Sequence, residues 1–132
     1  MKLISLQVYG DEQEDIFLVL IQEGFLNEER FAKSYTRGKF RMKKWGRLKI
    51  TNELKRREIS EYCIREGLKE IEETDYIETL KEILRKQMEK KKYLGPVLCK
   101  DQSIKYAVSR GYEASMVFNT IEKLDFNSDT PF

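Results

Sequence analysis

The sequence predicts an all-α protein of tandem three-helix units, each helix-turn-helix-like, on three observations. The 132 residues are 40% hydrophobic and 36% charged, too apolar and too regularly patterned for disorder, while 7 Gly and 2 Pro are few for an all-β chain. Apolar residues recur at helical spacing from end to end. The same apolar pattern also returns at a fixed offset. Leu54, Ile59, Ile64 and Leu68 have counterparts 53 residues later in Ala107, Tyr112, Val117 and Ile121, and 48 residues earlier Leu6, Ile16 and Leu20 fill the same places, with Asp11 at the position of Ile59.

Each copy reads as a helix ending near a turn, such as Tyr9-Gly10 or Arg110-Gly111, followed by a helix with a short apolar stripe. A longer helix precedes the second and third copies. The unit is therefore three helices over about fifty residues, within the range of helical repeat arrays. A partial first repeat is expected over 1–24, a second over 25–71, a third over 72–124 and a mobile tail over 125–132. The first copy lacks its leading helix, which suggests an N-terminal truncation.

The elements follow in order. Asn27 is a good N-cap, and Glu28 and Glu29 complement a positive helix end there, so a helix is expected over 27–44 with Phe31, Tyr35, Gly38 and Met42 facing inward. Gly46 breaks that run. A second helix from about Arg47 turns Ile50 and Leu54 inward, and a third opens at Ser60 with Glu61 in its first turn and Ile64, Leu68 and Ile71 as its stripe. Gly67 inside it costs about 1 kcal/mol relative to Ala unless a close helix contact requires it. A long helix is expected over 75–92, with Glu72, Glu73 and Asp75 as its N-terminal charge complement. Tyr93-Leu94-Gly95-Pro96 is a loop, because Pro96 disfavours helix at Gly95.

Composition narrows the chemistry. There is no His, and Cys63 and Cys99 are far apart, so neither a zinc site of the usual spacings nor a Cys-His nucleophile can be assembled within the chain. Cys63, beside Ile64, reads as a small core residue. The glycines are scattered, without a phosphate-cradling loop followed by Lys-Ser or Lys-Thr. No catalytic residue, metal or cofactor is expected, and the acids do not form a credible carboxylate constellation. No apolar run approaches a membrane span and no signal-peptide cleavage region follows Met1, so a soluble, cytoplasmic protein is expected, and with no long exposed apolar seam a monomer is the default.

Charge is the functional signal. Lys33, Arg37, Lys39, Arg41, Lys43, Lys44, Arg47, Lys49, Lys55, Arg56 and Arg57 follow one another with Glu53 as the only acid among them, a local charge of +10 in a chain of net +2. A solvated helix face normally mixes signs so that i,i+4 pairs help the helix, whereas here nearly every such pair is like-charged. Binding to a polyanion, with nucleic acid first, explains that uncompensated repulsion better. A second cluster, Arg85, Lys86, Lys90, Lys91 and Lys92, with Lys100 and Lys105, joins the same field if the units stack with their first helices on one side. Trp45 either closes the gap between helices around Gly46 or stacks on an exposed base beside its basic neighbours, with packing favoured.

Two segments resemble a known family. The stretch "GFLNEERFAKSYTRGKF" over 24–40, followed by "KWGRLKITNELKRREIS" over 44–60, resembles the central repeat of the bacterial regulatory protein family RecX. The matching residues are Gly24, Glu28, Glu29, Arg30, Phe31, Gly46, Ile50, Leu54 and Ile59. The later "SIKYAVSRGYEASMVFNTI" over 103–121 is similar to that family's closing repeat. Glu58 departs from it, standing where the family often has Gly, and 94–100 has no counterpart. The resemblance implies tandem three-helix repeats in an elongated, curved array. It also implies a non-enzymatic modulator of the RecA recombinase that lies along the RecA–DNA filament and inhibits strand exchange and filament growth or persistence, in DNA repair and the SOS response. Single-stranded and double-stranded DNA are the nucleic-acid partners to consider. A stand-alone DNA-binding module and a protein-binding helical scaffold are the alternatives from residues alone, although no helix carries the Arg, Asn, Gln and Ser mixture that base reading prefers.

Overall fold

A computed structural model describes residues 11–129, with side chains described for 26–124. Six α-helices are present among the described residues: α1 (Asp11–Gly38), continued by a π-helical turn (Lys39–Lys43), α2 (Arg47–Arg56), α3 (Glu61–Leu68), α4 (Glu73–Lys90), α5 (Pro96–Ser109) and α6 (Ala114–Asp129). A 3-10 turn, Lys92–Leu94, occupies the expected loop. The C-terminal half of α1 packs with α2 and α3 as one unit, and α4, α5 and α6 form the next. The turn expected at Tyr9-Gly10 lies outside the described residues.

Local signals explain several boundaries. The Ser60 hydroxyl accepts from Cys63 N at 3.3 Å, with Glu61 in the first turn of α3. Glu73 and Asp75 lie in the first turn of α4, and Pro96 at the start of α5 occupies a position where no backbone donor is missed. α1 is different. It runs unbroken through Asn27, so the N-cap expected there does not exist. Nothing in the Gln22–Leu26 stretch forbids helix, and the acids serve elsewhere: Glu28 accepts from Ser60 N at 3.1 Å, and Glu29 pairs with Lys33 at 3.1 Å. At the other end α6 continues through the expected tail to Asp129, because no residue before Pro131 breaks it. Residues 130–132 lie outside the described residues.

The internal repeat is visible bond for bond at the turns. After α2, Ile59 N donates to Leu54 O at 3.1 Å and Glu58 N to Lys55 O at 2.9 Å. After α5, Tyr112 N donates to Ala107 O at 3.3 Å and Gly111 N to Val108 O at 3.0 Å. Both are Schellman turns, whose C′ residue takes a left-handed conformation. Gly111 meets that demand freely at φ 101°, whereas Glu58 does so with a side chain at φ 62°. The unplaced segment 94–100 also finds an explanation. Helix α5 has 14 residues against 10 in α2, about one turn more ahead of an otherwise matching turn.

One contiguous core runs through both units, including Ile50, Leu54, Ile64, Tyr76, Leu80, Leu84, Ala107, Tyr112, Val117 and Ile121. On α1 the inward face is Ala32, Thr36 and Phe40, one residue out of phase with the expected stripe. Phe31 is 42% exposed and Met42 83%. The cause is a close helix crossing: a Cβ on Gly67 would lie 2.9 Å from the Ala32 backbone, so α3 meets α1 where both side chains are smallest. Gly67 is thus required by contact. The π-helical turn after Gly38 then keeps Phe40 inward, against Tyr76 at 5.9 Å between ring centroids.

Two substitutions test this reading by thermal unfolding. Glu58→Gly relieves a left-handed side-chain residue worth about 1–2 kcal/mol and, net of glycine's entropy, should stabilise by about 1 kcal/mol, raising Tm by roughly 3–6 °C. Gly67→Ala, which favours an open helix by about 1 kcal/mol, should instead lower Tm here. A lower Tm for the first or a higher one for the second contradicts the geometry.

Candidate nucleic-acid interface

The two units meet backbone to backbone. Gly46 N donates to Arg110 O at 2.8 Å and Leu48 N to Gly111 O at 2.9 Å, so the N-terminus of α2 is satisfied by the turn between α5 and α6. A Cβ on Gly46 would lie 2.3 Å from the Gly111 carbonyl, and one on Gly111 would lie 2.5 Å from Lys49 Cβ. Around this contact, Tyr112 Oη donates to Lys44 O at 3.0 Å and an Arg110 guanidinium nitrogen to Lys43 O at 2.5 Å.

Arg47 stands beside it. Its Nε donates to Glu113 at 2.9 Å and a terminal nitrogen to Glu73 at 3.1 Å, while its guanidinium lies 4.0 Å from the Tyr76 ring centroid. Tyr76 Oη accepts from Arg47 N at 2.8 Å and donates to the other Glu113 oxygen at 2.6 Å, and its ring stacks on Tyr112 at 4.9 Å. Burial works against the Arg47 charge, but Glu113, then Tyr76 and Glu73, more than offset it, so its pKa stands above the ordinary value. Burial pushes Tyr76 upward, opposed by the Arg47 N–H and reinforced by Glu113. Tyr112 also rises by burial.

The structure divides the basic stretch instead of presenting it on one face. Lys33 pairs with Glu29, and Arg37 with Glu70 at 2.7 Å, both on the α1–α3 side. Arg56 is 3.6 Å from Glu53. Lys39 and Lys49 bracket Trp45 at 4.9 and 4.8 Å from its ring, and Arg57 lies over Tyr35 at 5.1 Å. Trp45 is partly buried against the core, so packing accounts for its position. Arg47 belongs to the joint. Among the described residues, Arg41, Lys43 and Lys55 have neither a carboxylate partner nor an aromatic ring beneath them, and all three are exposed.

What the fold does bring together is the end of the first cluster and part of the second. Lys43 and Lys44, from the end of the π-helical turn, and Lys86, from α4, line one open cleft of about 130 Å³ with Arg110, Tyr106, Gln87, Ile83 and Glu82. Lys44 pairs with Glu82 at 2.7 Å, which holds that carboxyl below its ordinary range. An adjoining cleft sets Arg41, Lys44 and Arg85 among Asp75, Glu78 and Glu82, so its formal charges cancel. Lys90 is exposed, Lys91 lies 5.9 Å from the Tyr106 ring and Lys92 pairs with Glu89 at 2.9 Å. Lys105 pairs with Asp101 at 3.1 Å.

Arg110, Tyr106 and Glu113 were not among the sequence candidates. Their signal was the Arg110-Gly111-Tyr112 turn, whose repeat position was legible but whose contact with Gly46 was not. The buried Cys63 thiol is pushed up by burial, as for a core residue. No group of three or more acids and cysteines that could hold a metal ion occurs among the described residues, and none of their helices is long and apolar enough to cross a membrane.

Comparison with known proteins adds one finding. Residues 27–68, which span the end of α1 through α3, match the family profile described as RecX, second three-helix domain. No curated protein and no solved structure matches the chain.

The joint has measurable consequences. Arg47→Ala should lower unfolding stability by about 3 kcal/mol in urea titrations, whereas Arg41→Ala should stay within about 0.5 kcal/mol. Tyr76 and Tyr112 are raised above the ordinary value of 10.0. They therefore contribute stability below pH 10 that is lost as pH rises beyond it, since the unfolded chain releases protons that the folded chain keeps. Absorbance titration near 295 nm should show these two of the seven tyrosines ionising only as the protein unfolds. Seven equivalent titrations would contradict their burial.

Proposed function

We propose, on the match of residues 27–68 to the second three-helix domain of the RecX family, that this chain is a non-enzymatic regulator of a RecA-type recombinase. It binds the recombinase filament on DNA and inhibits recombinase activity and filament growth or persistence, acting in the cytoplasm as a monomer. The family match carries the reading. Its physical support is the distribution of charge: exposed Arg41, Lys43 and Lys55 remain available for an anionic partner, while Glu61, Glu72 and Asp75 are also exposed on the same body. Such a surface suits a partner that offers DNA phosphates and protein side chains together.

The test is fluorescence anisotropy on bare single-stranded DNA and on the same DNA coated with RecA and a non-hydrolysable nucleotide, over a salt series. Tighter binding to the coated filament is expected. Tighter binding to bare DNA, with discrimination among duplex sequences, would instead identify a stand-alone DNA-binding module. A salt-insensitive complex with a protein lacking DNA would identify a helical scaffold. In strand-exchange assays, Arg41→Glu with Lys43→Glu should abolish most inhibition at unchanged Tm; retained inhibition removes these cations from the mechanism. Arg47 is unsuitable for that test because its reversal would part the two units.

A further inference from the structure

We infer that the cleft at the seam of the two units is a binding site for the sugar-phosphate backbone of a single DNA strand, with Tyr106 as a stacking wall for a base. This deepens the reading above and rests on it only for where that strand lies in a filament. Lys43 and Lys44 come from the first unit and Lys86 and Arg110 from the second, so four cations face one open space with Glu82 as the only acid on its wall. Gathering like charges at a joint opposes docking, and a bound phosphate removes that opposition.

The space suits the ligand. Its volume of about 130 Å³ leaves room for a phosphate group with several waters. Arg110 is held across the seam by its bond to the Lys43 carbonyl, and its guanidinium lies 6.0 Å from the Tyr106 ring centroid. A partly exposed aromatic ring beside backbone-binding cations is the arrangement that receives unpaired bases, which a duplex keeps stacked inside. The site exists only while Gly46 and Gly111 are in contact, so strand binding and unit docking favour each other.

Anisotropy with labelled oligothymidylate and with a duplex of equal length, without recombinase, tests the cleft separately from the filament reading. Lys43→Gln with Lys86→Gln should weaken oligothymidylate binding roughly tenfold at low salt and lower the slope of log affinity against log salt by about 1.4, two contacts at about 0.7 each. Arg65→Gln with Lys69→Gln removes the same charge from exposed positions in and just after α3 and should leave that slope unchanged. Glu82→Gln should tighten binding about two- to fivefold. Tyr106→Leu should weaken the single strand at least fivefold and the duplex little. Equal losses in the two double variants, or none in the first, overturn the cleft as the site. Equal losses on both nucleic acids with Tyr106→Leu overturn its preference for a single strand. Failure to prefer coated filaments, with these variants behaving as stated, would sink the regulator reading and leave the cleft standing.

Discussion

Two units touch without side chains between them at Gly46 and Gly111, and the rest of the molecule is arranged around that contact. It completes the hydrogen bonding of the α2 N-terminus with the Arg110 and Gly111 carbonyls. It also brings Arg47 close enough to α4 and α6 for a closed circuit: the Arg47 backbone donates to Tyr76, Tyr76 donates to Glu113, and Glu113 accepts from the Arg47 side chain. Every polar member of the circuit has a partner, which is the condition under which a partly buried polar network stabilises instead of costing stability. The apolar core continues across the same place through Phe40, Tyr76 and Tyr112.

The joint also sorts the charges. A run of cations that is nearly continuous in sequence is distributed by the fold among helix-side ion pairs, aromatic faces, the joint and open solvent. Arg47 illustrates the difference between charge and availability: it has the same formal charge as Arg41, but its donors are committed to Glu73 and Glu113. Of the cations that remain available, Arg41 and Lys43 lie where the chain leaves its first long helix, beside an α4 that brings its own, and Lys55 lies in the last turn of α2. A surface electrostatic field is therefore set by packing as much as by composition.

The architecture was legible because its signals are local. Ser60, Gly46, Pro96 and the spacing of Leu54, Ile64, Ala107 and Val117 each mark a cap, a break or a buried position within a few residues of itself. The errors came from long-range effects. Asn27 has the chemistry of a cap, yet Glu28 is needed opposite Ser60, and the helix passes through. Phe31 and Phe40 exchange roles because a crossing at Gly67 rotates α1 by one position and a wider turn follows Gly38. The candidate site was half legible: Lys43, Lys44 and Lys86 were marked as basic, but their meeting with Arg110 and Tyr106 depends on a glycine contact between residues 65 positions apart. Glycine has no side chain to announce its partner.

The two Schellman turns differ in one atom that matters for assembly. Gly111 leaves open the space that Lys49 and the Gly46 carbonyl fill, whereas Glu58, at the equivalent place in the preceding unit, carries a Cβ. A helix start shaped like that of α2 can dock on the α5–α6 turn but not on the α2–α3 turn. The joining surface thus has a polarity: the turn that receives the α2 start carries glycine in its left-handed position. In an architecture built from similar units, the residue in one left-handed position distinguishes two turns that are otherwise matched bond for bond.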